Sequence, residues 1–207
     1  MTEAQKKAID ELSDAYVLPF SEGFVQLDSL FPQPRPLIME IGFGMGQATW
    51  QIALGRPGFN YLGVEVHSPG VGRLLMEIDA KKIMNLKIIQ HDALEVLEKM
   101  IGPGSLDGLH IFYPDPWPKK RHHKRRIMRQ DAVELMASRM APGAYLYFVT
   151  DIEEYAVSTL ETLSACSMLR NVYQGFSPRM EWRPETKFES RALRESRPAF
   201  ELYFTKV

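Results

Sequence analysis

Apolar and polar residues follow one another in short blocks that predict strands and helices in turn. Apolar runs predict strands at residues 37–41, 59–66, 86–90, 106–112 and 144–150. Helical periodicity lies at residues 47–54, 68–83, 93–100, 124–140 and 153–164, and the tail holds two strand candidates near 169–174 and 199–204. Because strands and helices alternate, the pattern predicts an α/β fold with a doubly wound, mostly parallel sheet and helices on both faces.

The residues before this alternation form a different kind of segment. Thr2 and Gln5 are spaced for a capping box at the start of a short helix. Prolines at 32, 34 and 36 interrupt any helix and mark a linker. The length of 207 residues fits a single domain over residues 1–207. We therefore expect a helical extension and linker over residues 1–35 and the main fold over residues 36–207.

Composition places the chain among ordinary globular proteins, with 45% hydrophobic and 25% charged residues. No apolar run approaches the roughly 20 residues that cross a bilayer, and the polar N-terminus lacks the apolar centre of a secretory signal. Cys166 is the single cysteine, which excludes an internal disulfide and a thiolate zinc site. Together these features favour a cytoplasmic protein.

Charge is distributed unevenly although the net charge is only −1. Residues 1–110 hold 9 Lys/Arg and 14 Asp/Glu, whereas residues 111–207 hold 16 and 12. Such asymmetry between halves indicates a polyanionic partner when the excess is concentrated in one place. The excess is concentrated at residues 119–126, which carry six formal positive charges and no acid.

A glycine-rich loop, EIGFGMG at residues 40–46, follows the first strand of the main fold. Parallel sheets bind ligands at the carboxyl ends of their strands, so this loop is a candidate binding element. Gly42 and Gly44 permit close approach of a ligand to the backbone. Gln47 stands where a dinucleotide fingerprint needs a small residue, which disfavours a nicotinamide oxidoreductase. Glu40 beside the loop suits a cationic ligand such as S-adenosylmethionine.

Two more acids follow successive strands. Glu65 can accept hydrogen bonds from the two hydroxyls of a ribose, and Asp92 from an adenine amino group. Asp92 could equally be the N-cap of the helix predicted at 93. Three strand-end acids and a glycine loop together favour a nucleoside cofactor.

A proline-rich loop follows the fourth strand, with prolines at 114, 116 and 118 around Asp115. The prolines restrict the backbone conformation and so fix the position of Asp115. A catalytic group requires such a fixed position. The basic segment 119–126 comes directly afterwards. With six phosphate contacts there, affinity would fall with salt, and a plot of log affinity against log salt concentration would have a slope of magnitude about 4–5. Solvated surface and nuclear localisation are alternative interpretations, and His122 with His123 lacks a third ligand for metal.

Six blocks of sequence resemble the bacterial tRNA (guanine-N7-)-methyltransferase family, and together they cover the chain from about residue 37 to 204. The blocks are EIGFGMG (40–46), GVEVHSPGVG (63–72), HDALEVL (91–97), YPDPWPKKRHHKRR (113–126), TDIEEYA (150–156) and TKFESR (186–191). The resemblance implies a Rossmann-like class I methyltransferase fold with seven strands, the last antiparallel. It also implies methyl transfer from S-adenosylmethionine to N7 of the variable-loop guanine at position 46 of tRNA.

The resemblance assigns roles to particular residues, with Asp115 in the active site. The cofactor would be contacted by Glu40, Gly42, Gly44, Glu65, Asp92 and Asp115. The substrate would be bound by Lys119, Asp151, Thr186, Lys187, Phe188 and Glu189. RNA would lie along Arg121, His122, His123, Lys124, Arg125 and Arg126. The expected partner is tRNA, without a metal or a membrane, and the protein would be a monomer or a homodimer.

The chain departs from the family pattern in two places. Tyr113 stands where phenylalanine is usual, and residues 192–198 lack a stretch with glycine and histidine that many members have. The second departure concerns how the tail contacts RNA and leaves the chemistry unaffected.

Guanine N7 carries a lone pair and no proton, so its methylation requires no general base. We therefore expect catalysis by positioning and electrostatics, with a fixed carboxylate stabilising the charge that moves onto the purine. The carboxylate that accepts hydrogen bonds from guanine N1–H and the 2-amino group could belong to Asp115, Asp151 or Glu189. Trp117 and Phe188 are candidate stacking faces for a splayed base, with core packing as the alternative for Phe188.

Two other functions compete with this one. An amino-group methyltransferase acting on adenine also uses a polar, proline and aromatic loop after the fourth strand. There the polar residue immediately precedes Pro-Pro, whereas Asp115 lies between two prolines. A non-catalytic RNA-binding protein is disfavoured by the intact glycine loop and the strand-end acids.

Overall fold

The computed structural model describes residues 1–185, 189–190 and 197–207. Its strands are β1 (Val17–Leu18), β2 (Leu37–Ile41), β3 (Asn60–Val64), β4 (Leu86–Ile89), β5 (Leu106–Phe112), β6 (Met140–Thr150), β7 (Leu169–Asn171) and β8 (Phe200–Lys206). Its helices are α1 (Glu3–Tyr16), α2 (Gln47–Gly55), α3 (Ser68–Lys81), α4 (Ala93–Lys99), α5 (Gln130–Arg139) and α6 (Glu153–Ala165).

These strands form one sheet in the order β1-β4-β3-β2-β5-β6-β8-β7. Pairing is parallel from β1 to β6, and β8 runs antiparallel to both β6 and β7. The predicted α/β class, the mostly parallel sheet and the antiparallel last strand are confirmed. The predicted count of seven strands omits β1, a two-residue strand inside the segment expected to be only helix and linker. The predicted capping box of Thr2 and Gln5 is present at the start of α1.

Helices cover the sheet on both faces, and each face has its own core. On one face α4, α5 and α6 bury Leu97, Met136 and Leu163 against the sheet. On the other face α2 and α3 bury Ile52 and Leu74, and α1 packs on α3. Strands covered on both sides are mostly apolar, and β2 and β3 are fully buried with one polar residue each, Glu40 and Asn60.

Aromatic side chains occupy the β5–β6 half of the second face, beside α2. His110 of β5 hydrogen-bonds the Tyr145 hydroxyl at 2.8 Å and stacks on Trp182, with ring centroids 5.0 Å apart. Burial, helped by the charge of Arg56, lowers the pKa of His110 to about 3, so the ring stays neutral. This packing holds the segment around Trp182 against the sheet.

The helix predicted over residues 124–140 is wrong at its start. A 3-10 helix spans Lys120–Arg125, the chain is extended at Arg126 and Arg129, and α5 begins only at Gln130. Arg126 and Met128 are buried, with less buried residues beside them, so this stretch has the two-residue alternation of extended chain. Burial of alternate side chains thus prevails over the helical periodicity of the sequence.

Within residues 1–185, 189–190 and 197–207, no helix combines the length and apolar character needed to cross a membrane. In the same residues, no three His, Cys, Asp or Glu side chains are grouped so that they could hold a metal ion.

Candidate functional site

The glycine loop connects β2 to α2 and has a backbone that side chains rarely permit. Gly42, Gly44 and Gly46 have φ angles of 71°, 57° and 71°. A β-carbon at Gly70, in the first turn of α3, would lie 2.0 Å from the carbonyl oxygen of Gly44. The glycine at 70 therefore allows α3 to approach the loop, and this close contact fixes the loop's position.

Glu65 joins the glycine loop to the loop between β3 and α3. One carboxylate oxygen accepts from the Gly44 amide at 2.8 Å, and the other accepts from the Val66 and His67 amides at 2.7 and 3.0 Å. The predicted site residues Glu65 and Gly44 are thus brought together. In the structure Glu65 orders the backbone around the site, and its half-buried carboxylate remains partly accessible at the strand ends.

A cavity of about 390 Å³ opens beside the glycine loop, within the size range of small-molecule sites. It combines predicted site residues with neighbours that the sequence analysis did not single out, and its lining is Glu40, Gly42, Phe43, Gly44, Met45, Gln47, Ala48, Phe112 and Tyr113. Their common signal is position: all lie between the end of β2 and the first turn of α2, or at the end of β5.

Glu40 is the charged group of this cavity. It is 4% exposed, and its Oε2 has no hydrogen-bond partner among the residues that the structure describes. Burial is the main cause that raises the pKa of Glu40 to about 8; Thr49 lowers the pKa by a smaller amount, and the nearby charge of Glu65 adds a still smaller increase. A buried carboxyl group without a full set of partners suits a ligand that carries a positive charge.

The raised pKa of Glu40 predicts a pH-dependent stability. Folded Glu40 holds its proton up to about pH 8, whereas its ordinary value is 4.5. Its contribution to stability is therefore complete below pH 4.5 and is lost as pH rises through about 8. We expect Glu40→Gln, which keeps a neutral side chain, to reduce this loss. Urea unfolding of both proteins across about pH 5–9 measures it, and identical pH profiles would contradict the raised pKa.

Asp92 occupies the alternative role considered from the sequence. It is the N-cap of α4, and its Oδ1 accepts from the amides of Leu94 and Glu95 at 2.9 and 3.1 Å. Asp92 is exposed and is not part of the cavity lining. The adenine contact assigned to it therefore remains a proposal.

The proline-rich loop begins at the same edge, because Phe112 and Tyr113 line the cavity. Tyr113 and Trp117 have φ angles of 50° and 42°, unusual for residues with a side chain. Asp115 lies between them and is exposed. The loop thus presents its carboxylate to solvent two residues beyond the cavity wall.

The basic segment separates into exposed and buried cations. Lys119, Lys120, Arg121, Lys124 and Arg125 are exposed, and His122 and His123 are half-buried. Arg126 differs from them: it is 5% exposed and forms an ion pair with Glu154 of α6. The structure therefore does not place Arg126 on the surface that the other cations share, contrary to its expected position along RNA.

Two further predicted substrate residues are engaged within the protein. Asp151, whose side chain is 9% exposed, forms an ion pair with Arg197. Glu189 is 2% exposed and forms ion pairs with Arg179 and Arg183. Burial raises the pKa of Glu189, but hydrogen bonds and charge from the two arginines outweigh it and leave the pKa lowered. Thr186, Lys187 and Phe188 lie outside the described residues.

Arg183 is the centre of a buried charged cluster that the sequence analysis missed. Its guanidinium binds Glu189 at 2.7 and 2.8 Å and Glu201 at 2.7 Å, and its Nε donates to the Tyr147 hydroxyl at 3.1 Å. The signal in the sequence is weak: Glu201 precedes Leu202 inside a strand, so the two side chains lie on opposite faces of the sheet. The cluster lies close to the cavity: burial raises the pKa of the Tyr113 hydroxyl, the charge of Glu189 raises it further, and the charge of Arg183 lowers it.

Comparison with known proteins gives matches over nearly the whole chain. A protein-family model described as "Putative methyltransferase" matches residues 34–202. A tRNA (guanine-N(7)-)-methyltransferase of Bordetella pertussis is 48% identical over 207 residues, which is 100% of this chain and 82% of that protein. Another, of Paraburkholderia xenovorans, is 50% identical over 202 residues, 98% of this chain and 78% of that protein.

Solved structures share the fold at low identity. The 16S rRNA methyltransferase KamB superposes with a TM-score of 0.66 at 14% identity and covers 92% of this chain and 98% of that chain. At this identity the likeness concerns the fold.

Proposed function

Because this chain belongs to the tRNA (guanine-N(7)-)-methyltransferase family, we propose that it methylates the variable-loop guanine at position 46 of tRNA with S-adenosylmethionine as the methyl donor. The product is 7-methylguanosine. The observation that carries the proposal is the cavity at the glycine loop, which has an incompletely paired Glu40 carboxyl group inside and the Asp115 loop at its rim.

The residues around the cavity suit S-adenosylmethionine. This cofactor carries an ammonium and a sulfonium group, and Glu40 offers a buried carboxyl oxygen that lacks a partner among the described residues. The positive-φ glycines leave the loop backbone uncovered, and Glu65 reaches the same loop with its carboxylate. When bound, the cofactor supplies an already activated methyl group, so the protein must orient the two reactants and stabilise charge.

Asp115 is the proposed stabiliser of the charge that appears on the purine. As the methyl group moves to N7, positive charge moves from sulfur to the guanine ring, and an oriented carboxylate lowers the energy of that state. No proton has to be removed from N7.

The tRNA would lie against the exposed cations of the basic segment: Lys119, Lys120, Arg121, Lys124 and Arg125. Phosphate contacts of this kind give affinity without sequence selection. Selection of guanine then depends on groups nearer the cavity, for which Asp151, Thr186, Lys187, Phe188 and Glu189 remain the proposed residues. Displacement of the Arg197 ion pair would make the Asp151 carboxylate available to the guanine edge.

The exposed cations predict the salt dependence of tRNA binding. Five phosphate contacts give a slope of log Kd against log[salt] of about 3.5–4.5, less than six contacts would give. Lys120→Met should lower this slope by about 0.7–0.9. Fluorescence anisotropy of labelled tRNA over a salt series measures it, with Lys6→Met on α1 as the control. A slope near zero would contradict binding through this segment.

The reaction itself is tested by identifying the product. The protein is incubated with methyl-labelled S-adenosylmethionine and unmodified tRNA, and the tRNA is then digested to nucleosides for mass spectrometry. The proposal predicts label in 7-methylguanosine. Label in a methylated adenine would support the amino-group methyltransferase instead, and cofactor binding without labelled tRNA would contradict both.

A further inference from the structure

We propose that Arg126 is a positioning residue for methyl transfer, which anchors the Asp115 loop to α6, and that it does not bind tRNA phosphate. The inference rests on the proposed function for the reaction that the loop serves. Neighbouring cations of one basic segment would then have different roles: some would bind tRNA phosphate, and Arg126 would hold the loop. Lys124 and Arg125 face the solvent, whereas Arg126 faces the protein.

The contacts of Arg126 leave little for another partner. Its Nε donates to the carbonyl oxygen of Pro116 at 2.8 Å. Its two Nη atoms bind both carboxylate oxygens of Glu154, at 3.0 and 2.5 Å, and one also donates to Ser158 Oγ at 3.2 Å. Four of the five N–H groups of the guanidinium are thus used. The guanidinium carbon also lies 4.5 Å from the ring centroid of Tyr155.

The position of the Pro116 carbonyl affects the position of Asp115, because Asp115 is the residue before it. The peptide chain on both sides of Asp115 has an unusual backbone, with positive φ at Tyr113 and Trp117. Such conformations cost about 1–3 kcal/mol each and persist only where the surroundings enforce them. The three prolines have no N–H group, so carbonyl oxygens supply much of the loop's capacity for backbone hydrogen bonds.

The loop is attached at both ends. At its start the Tyr113 amide donates to the Val149 carbonyl of β6 at 2.7 Å, which continues the pairing of β5 with β6. At its other end the attachment is the Arg126 guanidinium, itself held by Glu154 and Ser158 of α6. Arg126 therefore transmits the position of a packed helix to the backbone beside Asp115.

The fork of donors explains why arginine is needed. A guanidinium binds one carbonyl and a two-oxygen carboxylate at fixed angles, whereas a lysine ammonium is a single point charge on a flexible stem. Arg126→Lys keeps the charge and loses this geometry. It is therefore the informative variant, because a phosphate contact would survive it much better than the anchor.

The test compares Arg126→Lys with Lys124→Met in single-turnover methylation at saturating cofactor. A misplaced catalytic group can cost about 100-fold, so we expect the rate at saturating tRNA to fall about 10- to 100-fold in Arg126→Lys. The salt slope of tRNA binding should stay unchanged in this variant. Lys124→Met should show the opposite effect on binding, with a slope lowered by about 0.7–0.9, whereas Lys6→Met on α1 should leave both the slope and the rate unchanged.

A spectroscopic readout separates the anchor from the reaction. In protein labelled with 5-fluorotryptophan, the fluorine resonance of Trp117, assigned with Trp117→Phe, reports on the loop without turnover. It should shift or broaden in Arg126→Lys and remain in place in Lys124→Met. Glu154→Gln removes the negative charge that pairs with Arg126. The Glu154 side chain is 59% exposed, so this variant tests the same anchor if Arg126→Lys fails to fold.

An unchanged rate in both Arg126→Lys and Glu154→Gln would overturn the inference, as would a reduced salt slope in Arg126→Lys. Failure of the proposed function looks different. The starting protein would then transfer no methyl group to tRNA, while the Trp117 resonance and the salt slopes would still show whether Arg126 anchors the loop.

Discussion

Asp115→Ala is expected to lower the turnover number by about 100- to 1,000-fold while tRNA affinity changes little. The expectation follows from the position of Asp115 on a loop whose backbone is restricted by prolines on both sides and whose start lines the cavity. A carboxylate oriented before the reaction stabilises developing charge without reorganising, so its removal acts mainly on the transition state. The proposed binding of tRNA through exposed cations elsewhere does not depend on this carboxylate.

We would check this by measuring the single-turnover rate and the tRNA dissociation constant of Asp115→Ala and Asp115→Asn. Asn keeps the shape and the hydrogen-bonding oxygen but not the charge, so a loss close to that of Ala assigns the effect to charge. Asp10→Ala on the exposed face of α1 is the matched control for removal of a surface carboxylate. A variant that binds tRNA poorly but reacts at the full rate would contradict the catalytic assignment.

Arg183→Met is expected to destabilise the fold by about 3–5 kcal/mol, because it leaves buried carboxylates without their main partner. Arg183 is 2% exposed and binds Glu189, also 2% exposed, and Glu201, 5% exposed. Methionine fills much of the volume and supplies no charge. The loss should also loosen the segment around Trp182 that covers the sheet beside the cavity.

Urea unfolding followed by far-UV circular dichroism gives the free energy of unfolding for this variant. The control is Arg179→Met, which removes a cation from the same Glu189 at a side chain that is 36% exposed. Solvent screens that pair, so its loss should cost about 1 kcal/mol or less. Equal effects of the two substitutions would show that the cluster is not a buried ionic centre.

Most of the fold could be predicted from the sequence because its periodicities are strong. The strand β5 and the helix α6 are recovered almost to the residue. The β1 strand was missed because two residues carry no periodicity, and its pairing with β4 exists only in the tertiary structure. The start of α5 was misplaced for a related reason: the extended stretch at Arg126 and Met128 depends on partners in α6 and the core.

In the candidate site, too, local features could be predicted from the sequence, and features that depend on distant residues could not. Glu40, Gly42 and Gly44 could be found because strand-end acids and glycines are local features, and the structure places them around one cavity. The inward direction of Arg126 could not be read from a run of cations, since it depends on Glu154, which lies 28 residues further along the chain. Two partners of Arg183, Tyr147 and Glu201, are likewise brought together only when β8 pairs with β6.

Chemical mapping of the methylated position shows whether this protein methylates N7 of guanine 46. Two transcripts of one tRNA, with guanine or adenine at position 46, are incubated with the protein and S-adenosylmethionine, then treated with borohydride and aniline, which cleave at 7-methylguanosine. We expect cleavage at position 46 in the first transcript and none in the second. Cleavage at another guanine, or an uncleaved first transcript that has nevertheless gained a methyl group, would contradict it.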